Sequence, residues 1–252
     1  MLRVVPVLSI RQLNKDSLTI MFYRIQPIFD EKITGIDGVQ AEDAIYSLSI
    51  WDPLHIGHWN FVKIPDNVII PIPKVKSKAR LTDLMSVYFN GSSFRLTISN
   101  KLKLILAEYC SDTIQFIPLK IQHRGKLITE YWLTNVVKFD NDTAVNYPIS
   151  DVSLEGSRYN EFYKINISSY KEHIAERIKG RDIHIEGYNP IHINKLVFKK
   201  NINESLLVIN FVRDGGVIYC VSEYLKKTLE DEGCTGIEYL PVEQGKYCHI
   251  DF

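Results

Sequence analysis

The sequence predicts an α+β fold. Two related strand-turn-strand-helix-strand units, around 84–137 and 206–250, stand on mixed or antiparallel sheets and follow a β-rich N-terminal region. Three observations carry this prediction. The chain matches itself without gaps between 98–119 and 221–242, each window opens on a serine placed to cap a helix, and each is preceded by residues that favour tight turns. The match keeps a constant offset of 123 and holds six identities: Ser99 with Ser222, Leu102 with Leu225, Lys103 with Lys226, Leu106 with Leu229, Ile114 with Ile237, and Pro118 with Pro241. Chance gives roughly one or two over such a window at ordinary composition. So long a period rules out a short-repeat solenoid.

Taken in order, residues 1–13, broken by Pro6 and Arg11, read as a first strand and are too interrupted for an export signal. Residues 69–73 read as an extended connector running into a basic stretch of Lys74, Lys76, Lys78 and Arg80, which sets a boundary between a region 1–73 and a first unit 74–150. In that unit Asn90-Gly91 supplies a turn and Ser99 an N-cap. Leu102, Ile105, Leu106 and Tyr109 follow at helical spacing, then a strand 114–117 that Pro118 closes, then a β-rich return over 126–137. Asn, Asp and Pro accumulate over 140–150 and mark a second boundary. In 151–252, Ser169 and Glu172 have capping-box spacing, Tyr170, Ile174 and Ile178 form a stripe, and Gly180 offers a stop, so the spacing predicts a helix over 169–179. The second unit repeats the pattern with Asp214-Gly215-Gly216 as turn, Ser222 as cap, Leu225 and Leu229 as stripe, and a strand 237–240 ending at Pro241. Only 245–252 stands where the first unit has its return strand, so the last hairpin is expected to be trimmed.

Composition bounds the function. Thirty basic residues balance thirty acidic ones, so there is no summed positive field for nucleic acid or anionic lipid, and neither is expected as a partner. No uncharged apolar run approaches the ~20 residues of a membrane helix. The four cysteines, Cys110, Cys220, Cys234 and Cys248, lack metal-ligand spacing and read as reduced thiols in a cytoplasmic protein.

One motif points to chemistry. Asp52-Pro53-Leu54-His55-Ile56-Gly57-His58 is similar to the H-x-G-H signature of nucleotidyl- and adenylyltransferases, in which two imidazoles stabilise phosphate charge at a helix N-terminus. The segment after His58 meets Pro65 and shows no helical stripe, and no second lysine-rich signature follows, so these histidines are expected in a loop between Trp51 and Trp59. Cys248 and His249 point to opposite faces of an extended tail, so they form no trio with Asp251, and His184 with Glu186 lacks a third metal ligand. No catalytic set, metal or cofactor is expected. The candidate anchors for a protein partner are Trp51, His55 and Trp59, and Tyr159, Phe162 and Tyr163, aromatic clusters in segments without core periodicity.

The turn, the apolar strand ending in Val/Ile-Ser, the x-x-Leu-Lys-x-x-Leu helix, the Ile-x-Phe/Tyr-x-Pro strand and the Tyr131-Trp132-Leu133 return together resemble immunity protein family eleven of bacterial polymorphic toxin systems. The resemblance rests on 96–119 with 131–137, and again on 219–242. It implies a cytoplasmic protein that binds a cognate secreted toxin in a tight complex, without catalysis. The alternative is a nucleotidyltransferase acting through His55 and His58.

Overall fold

A computed structural model describes residues 21–110, 112–155, 162–182, 191–213 and 216–242. Turns and alternating apolar residues lay the strands down in two mixed sheets. One has six strands: β2 (Asp43–Ile45), β3 (Ile72–Val75), β6 (Ile114–His123), β7 (Lys126–Val136), β5 (Thr97–Ser99) and β4 (Leu84–Met85), in that spatial order. The other has seven: β13 (Ile237–Pro241), β1 (Phe22–Pro27), β12 (Gly216–Ser222), β11 (Leu206–Val212), β10 (Ile191–Lys195), β8 (Asp151–Glu155) and β9 (Phe162–Ile165). The fold is α+β. The strands of 21–73 make no sheet of their own, because β1 enters the seven-stranded sheet while β2 and β3 edge the six-stranded one.

Ser99 and Ser222 cap helices α2 (Asn100–Tyr109) and α5 (Glu223–Asp231), their hydroxyls accepting from the amides of Leu102 and Leu225 at 3.2 and 3.3 Å. Each cap satisfies an amide that has no partner within its own helix. Leu102, Leu106, Leu225 and Leu229 are fully buried in one core between the sheets, where each contributes about 2 kcal/mol. Strands β11 and β12 also feed a second core on their other face, with Val208, Tyr219 and Val221 on one side and Leu207, Ile209 and Ile218 on the other. Burial on both faces is why residues 206–212 read as a nearly continuous apolar run.

Residues 245–252 lie outside the described ones, and the return-strand slot of the second unit is filled from upstream. In the first unit β7 lies between β5 and β6, antiparallel to both, with Trp132 opposite Ile98 and Pro118. In the second, β1 fills that slot between β12 and β13, with Tyr23 opposite Val221 and Pro241, the repeat partners of Ile98 and Pro118. Phe22 and Tyr23 thus stand where Tyr131 and Trp132 stand, and a strand far upstream in the chain completes the repeat.

Three local expectations are corrected. Asn90-Gly91 does not close a tight hairpin, because β4 and β5 are joined by the long segment 86–96, in which Gly91 (φ 99°) is pressed against Ile56 and Gly57. The two-residue hairpin instead joins β6 to β7 through Arg124 and Gly125, both at positive φ. Pro118 does not end its strand. β6 pairs β3 only at Gln122 and His123, so at Pro118 the outer edge of β6 needs no ladder amide, and the strand continues. Helix α4 (Tyr170–Asp182) runs past Gly180, and its capping glutamate reaches back to Ser168, while the Ser169 hydroxyl accepts from the Glu172 amide. No helix among the described residues is long and apolar enough to cross a membrane.

Candidate functional site

The segment 46–71 contains no strand and only one helical turn, Ile56–His58, yet side chains of the six-stranded sheet strap it down. Gln115 accepts from the Ile64 amide at 2.8 Å and donates to its carbonyl at 2.9 Å, and Asn135 donates to the Val62 carbonyl at 2.8 Å. The buried Arg95 guanidinium donates to the carbonyls of Trp59 and Gly91 and to the side chains of Asn60 and Asn135, at 2.6 to 3.2 Å. Burial lowers its pKa to about 10, so it stays charged at neutral pH, held among the described residues by neutral acceptors. Irregular chain held this way is a preorganised surface.

That surface is apolar and open. Trp51 is 81% exposed, and Tyr46, Ile50, Leu54 and Val62 are exposed along the same segment. The Trp59 indole donates to the Pro53 carbonyl at 3.0 Å, which closes the loop on itself. The two histidines brace it, His55 from inside and His58 from the exposed side. His55 is buried, its Nδ1 accepts from the Gly57 amide at 3.1 Å, and its ring stacks on Tyr46. Burial, and after it the neighbouring His58, hold its pKa below the usual imidazole value. His58 Nε2 lies 2.8 Å from the Ile50 carbonyl. Phosphate binding by an H-x-G-H pair needs a helix start at the second histidine. Here a three-residue turn ends there, and residues 59–68 form no helix.

The remaining candidates are placed elsewhere. Phe162 and Tyr163 lie on β9, at the edge of the other sheet, with Arg213 stacked 3.8 Å over the Phe162 ring and Tyr163 exposed. Tyr159, His184, Glu186, Cys248, His249 and Asp251, like the first strand expected over 1–13, fall outside the described residues. Among the described residues no group of three His, Cys, Asp or Glu side chains is placed to hold a metal.

A second feature had no signature in the sequence. Phe61, Phe94 and Phe211 line a cleft of about 480 Å³ together with Ile174, Ile178, Arg177, His192, Asn210 and Gly216. These are three of the four non-glycine residues at positive φ among those described, at 62°, 64° and 64°. Phe211 forms a bulge in β11, where the register shifts between Asn210 and Val212. The predicted α4 stripe ends here as well: Ile174 and Ile178 face the cleft, Ile178 stays exposed, and among the described side chains of the helix it is His173 that is buried. No family model and no curated protein matches the chain, so the two surfaces stand on their geometry.

Proposed function

We propose that this protein acts by binding, as a cytoplasmic immunity partner that occludes a cognate bacterial toxin in a stoichiometric complex without catalysis. The observation that carries the reading is Trp51: a large apolar side chain 81% exposed on a loop fixed by Arg95, Gln115 and Asn135. Protein interfaces draw most of their energy from a few aromatic or arginine anchors, and a preorganised anchor loses little entropy on docking. Tyr46, Ile50 and Leu54 supply an apolar surround of the kind that excludes water from such a contact. The doubled scaffold and the sequence resemblance to an immunity family support the same reading.

The test is co-purification with the toxin domain encoded beside this protein's gene, together with rescue of cells that express that domain. Trp51→Ala should weaken the complex by about 30-fold or more, the cost of an interface hot spot, while leaving the melting temperature unchanged. Failure of both capture and rescue by the unmodified protein would sink the proposal.

A further inference from the structure

The cleft between the two sheets takes Phe61 from the segment that carries Trp51, but it does not depend on the toxin reading. Its walls combine two unusual features. Bulky residues are rarely held in the left-handed backbone region, where each costs on the order of 1–3 kcal/mol, and such strain gathers at ligand sites. Three phenylalanines from distant segments share that conformation here and converge on one cavity. Their rings are locked by contacts behind them: Phe61 packs on Phe94 and Phe139 at 5.3 and 5.1 Å, and Phe211 lies 4.8 Å from His173 with the Arg177 guanidinium 4.1 Å from its ring. Gly216 matters for the same wall. A Cβ there would stand 2.9 Å from the Phe94 ring, so only glycine lets that ring come this close.

The second feature is polar. Asn210 is 7% exposed, and its side-chain oxygen accepts from the Phe211 amide at 2.7 Å. Among the described residues no acceptor meets its amide NH2, and the residue lines the cleft. His192, on the same wall, is held through Nε2 by Glu155 at 3.4 Å, while its buried Nδ1 has no partner. A donor already fixed in direction and open to the cleft gains about 0.5–1.5 kcal/mol on meeting a ligand acceptor. The volume falls within the range of small-molecule sites, and a mostly apolar wall with a few fixed polar groups is their usual makeup.

We propose that this cleft binds a planar aromatic compound carrying a hydrogen-bond acceptor, its ring among Phe61, Phe94 and Phe211 and its acceptor on the Asn210 amide. Aromatic rings arranged this way favour a ring edge or face over a saturated group of equal size. The partners that hold Asn210 in place, Asn141 on its backbone and Phe211 on its side chain, fix the donor direction before any ligand arrives.

The probe is 2-naphthoate, compared with cyclohexylacetate, with binding to the full chain followed by ligand-observed NMR and calorimetry. Saturable binding of 2-naphthoate is expected on the order of 1 mM or tighter, from the affinity typical of a ligand its size. Ile174→Trp, which fills the cleft from a half-buried position on α4, should abolish it. Asn210→Asp keeps the acceptor for Phe211 but replaces the donor with a carboxylate, and should weaken it at least about tenfold. Trp51→Ala should leave it unchanged. If Asn210→Asp fails to fold, Ile174→Trp decides. The proposal is overturned if 2-naphthoate does not saturate at millimolar concentration, if Ile174→Trp binds it as well as the unmodified protein does, or if cyclohexylacetate binds equally tightly.

Discussion

The Lys226 ammonium lies 4.5 Å from the centre of the Tyr23 ring, and in the other half of the molecule Lys103 lies 4.9 Å from Trp132. The parallel extends outward. Lys226 also faces Tyr239 at 5.8 Å as Lys103 faces Phe116 at 6.0 Å, and the polar tips of Tyr23 and Trp132 donate to Glu223 and Asn100, the first residues of the two helices. Each set is one helix lysine and two strand aromatics at matching positions of the repeat. The equivalence therefore includes β1, which shares no chain position with β7.

If β1 is an integral strand of the second unit, truncating its buried anchor must cost as much as a core deletion. Phe22 is 2% exposed and packs 4.9 Å from Phe198. Phe22→Ala should lose about 3–5 kcal/mol in urea denaturation followed by circular dichroism. A loss under about 1 kcal/mol would show that the strand is only loosely attached.

The two caps should differ in a defined way. Ser222→Ala removes one cap and should cost about 1 kcal/mol. Ser99 has a second role, since its hydroxyl also donates to Asp83 at 2.6 Å, and the other Asp83 oxygen accepts from the amide and hydroxyl of Thr235 at 2.8 and 3.1 Å. That carboxylate joins the two units, so Ser99→Ala should cost about 1 kcal/mol more than Ser222→Ala. Equal costs in parallel denaturation curves would remove the joint from the account.

A glycine pair tests the same junction. Gly236 and Gly125 both have positive φ, 80° and 76°, but a Cβ at Gly236 would stand 2.3 Å from the Leu84 carbonyl, whereas Gly125 faces open space. Gly125→Ala should cost about 1 kcal/mol, the backbone penalty alone. Gly236→Ala adds a backbone clash and should lower the melting temperature far more, by at least about 10 °C. Similar melting temperatures would mean that the two units can separate slightly without cost.

Acid should act through His173. It is fully buried on the inner face of α4, with Nδ1 3.4 Å from the Tyr147 hydroxyl, and burial pushes its pKa down to about 4, with Arg177 and His192 adding to the shift and a backbone hydrogen bond at Ile191 opposing it. Above about pH 6.5 the imidazole is neutral in both folded and unfolded chains, and stability does not depend on it. Between that pH and about 4 the unfolded chain takes up a proton that the folded chain refuses. Stability therefore falls as pH falls, by about 3 kcal/mol over this window. His173→Gln should flatten that part of the stability profile, and an unchanged slope would assign the acid sensitivity to other groups.

The irregular course of the segment around Trp51 is legible in the sequence. Two tryptophans, two histidines and a proline within a short stretch signal a non-periodic loop. Arg95 carried no such signal. A lone arginine before an apolar strand reads as a solvated charge, and only the approach of Trp59, Asn60, Gly91 and Asn135 around it makes it the strap of the loop.

The sequence by itself determined the repeat, its two caps and its leucine stripes, because these depend on residues within a turn or two of one another, where spacing and hydrogen-bonding groups act locally. Only the tertiary structure decided that β1 completes the second unit, since Phe22-Tyr23 and Tyr131-Trp132 share little but aromaticity and are equated by register across a sheet. The same holds for the cleft. A positive φ at Phe61, Phe94 and Phe211 opposes local preference and is held only by packing between distant segments, which no window of the sequence contains.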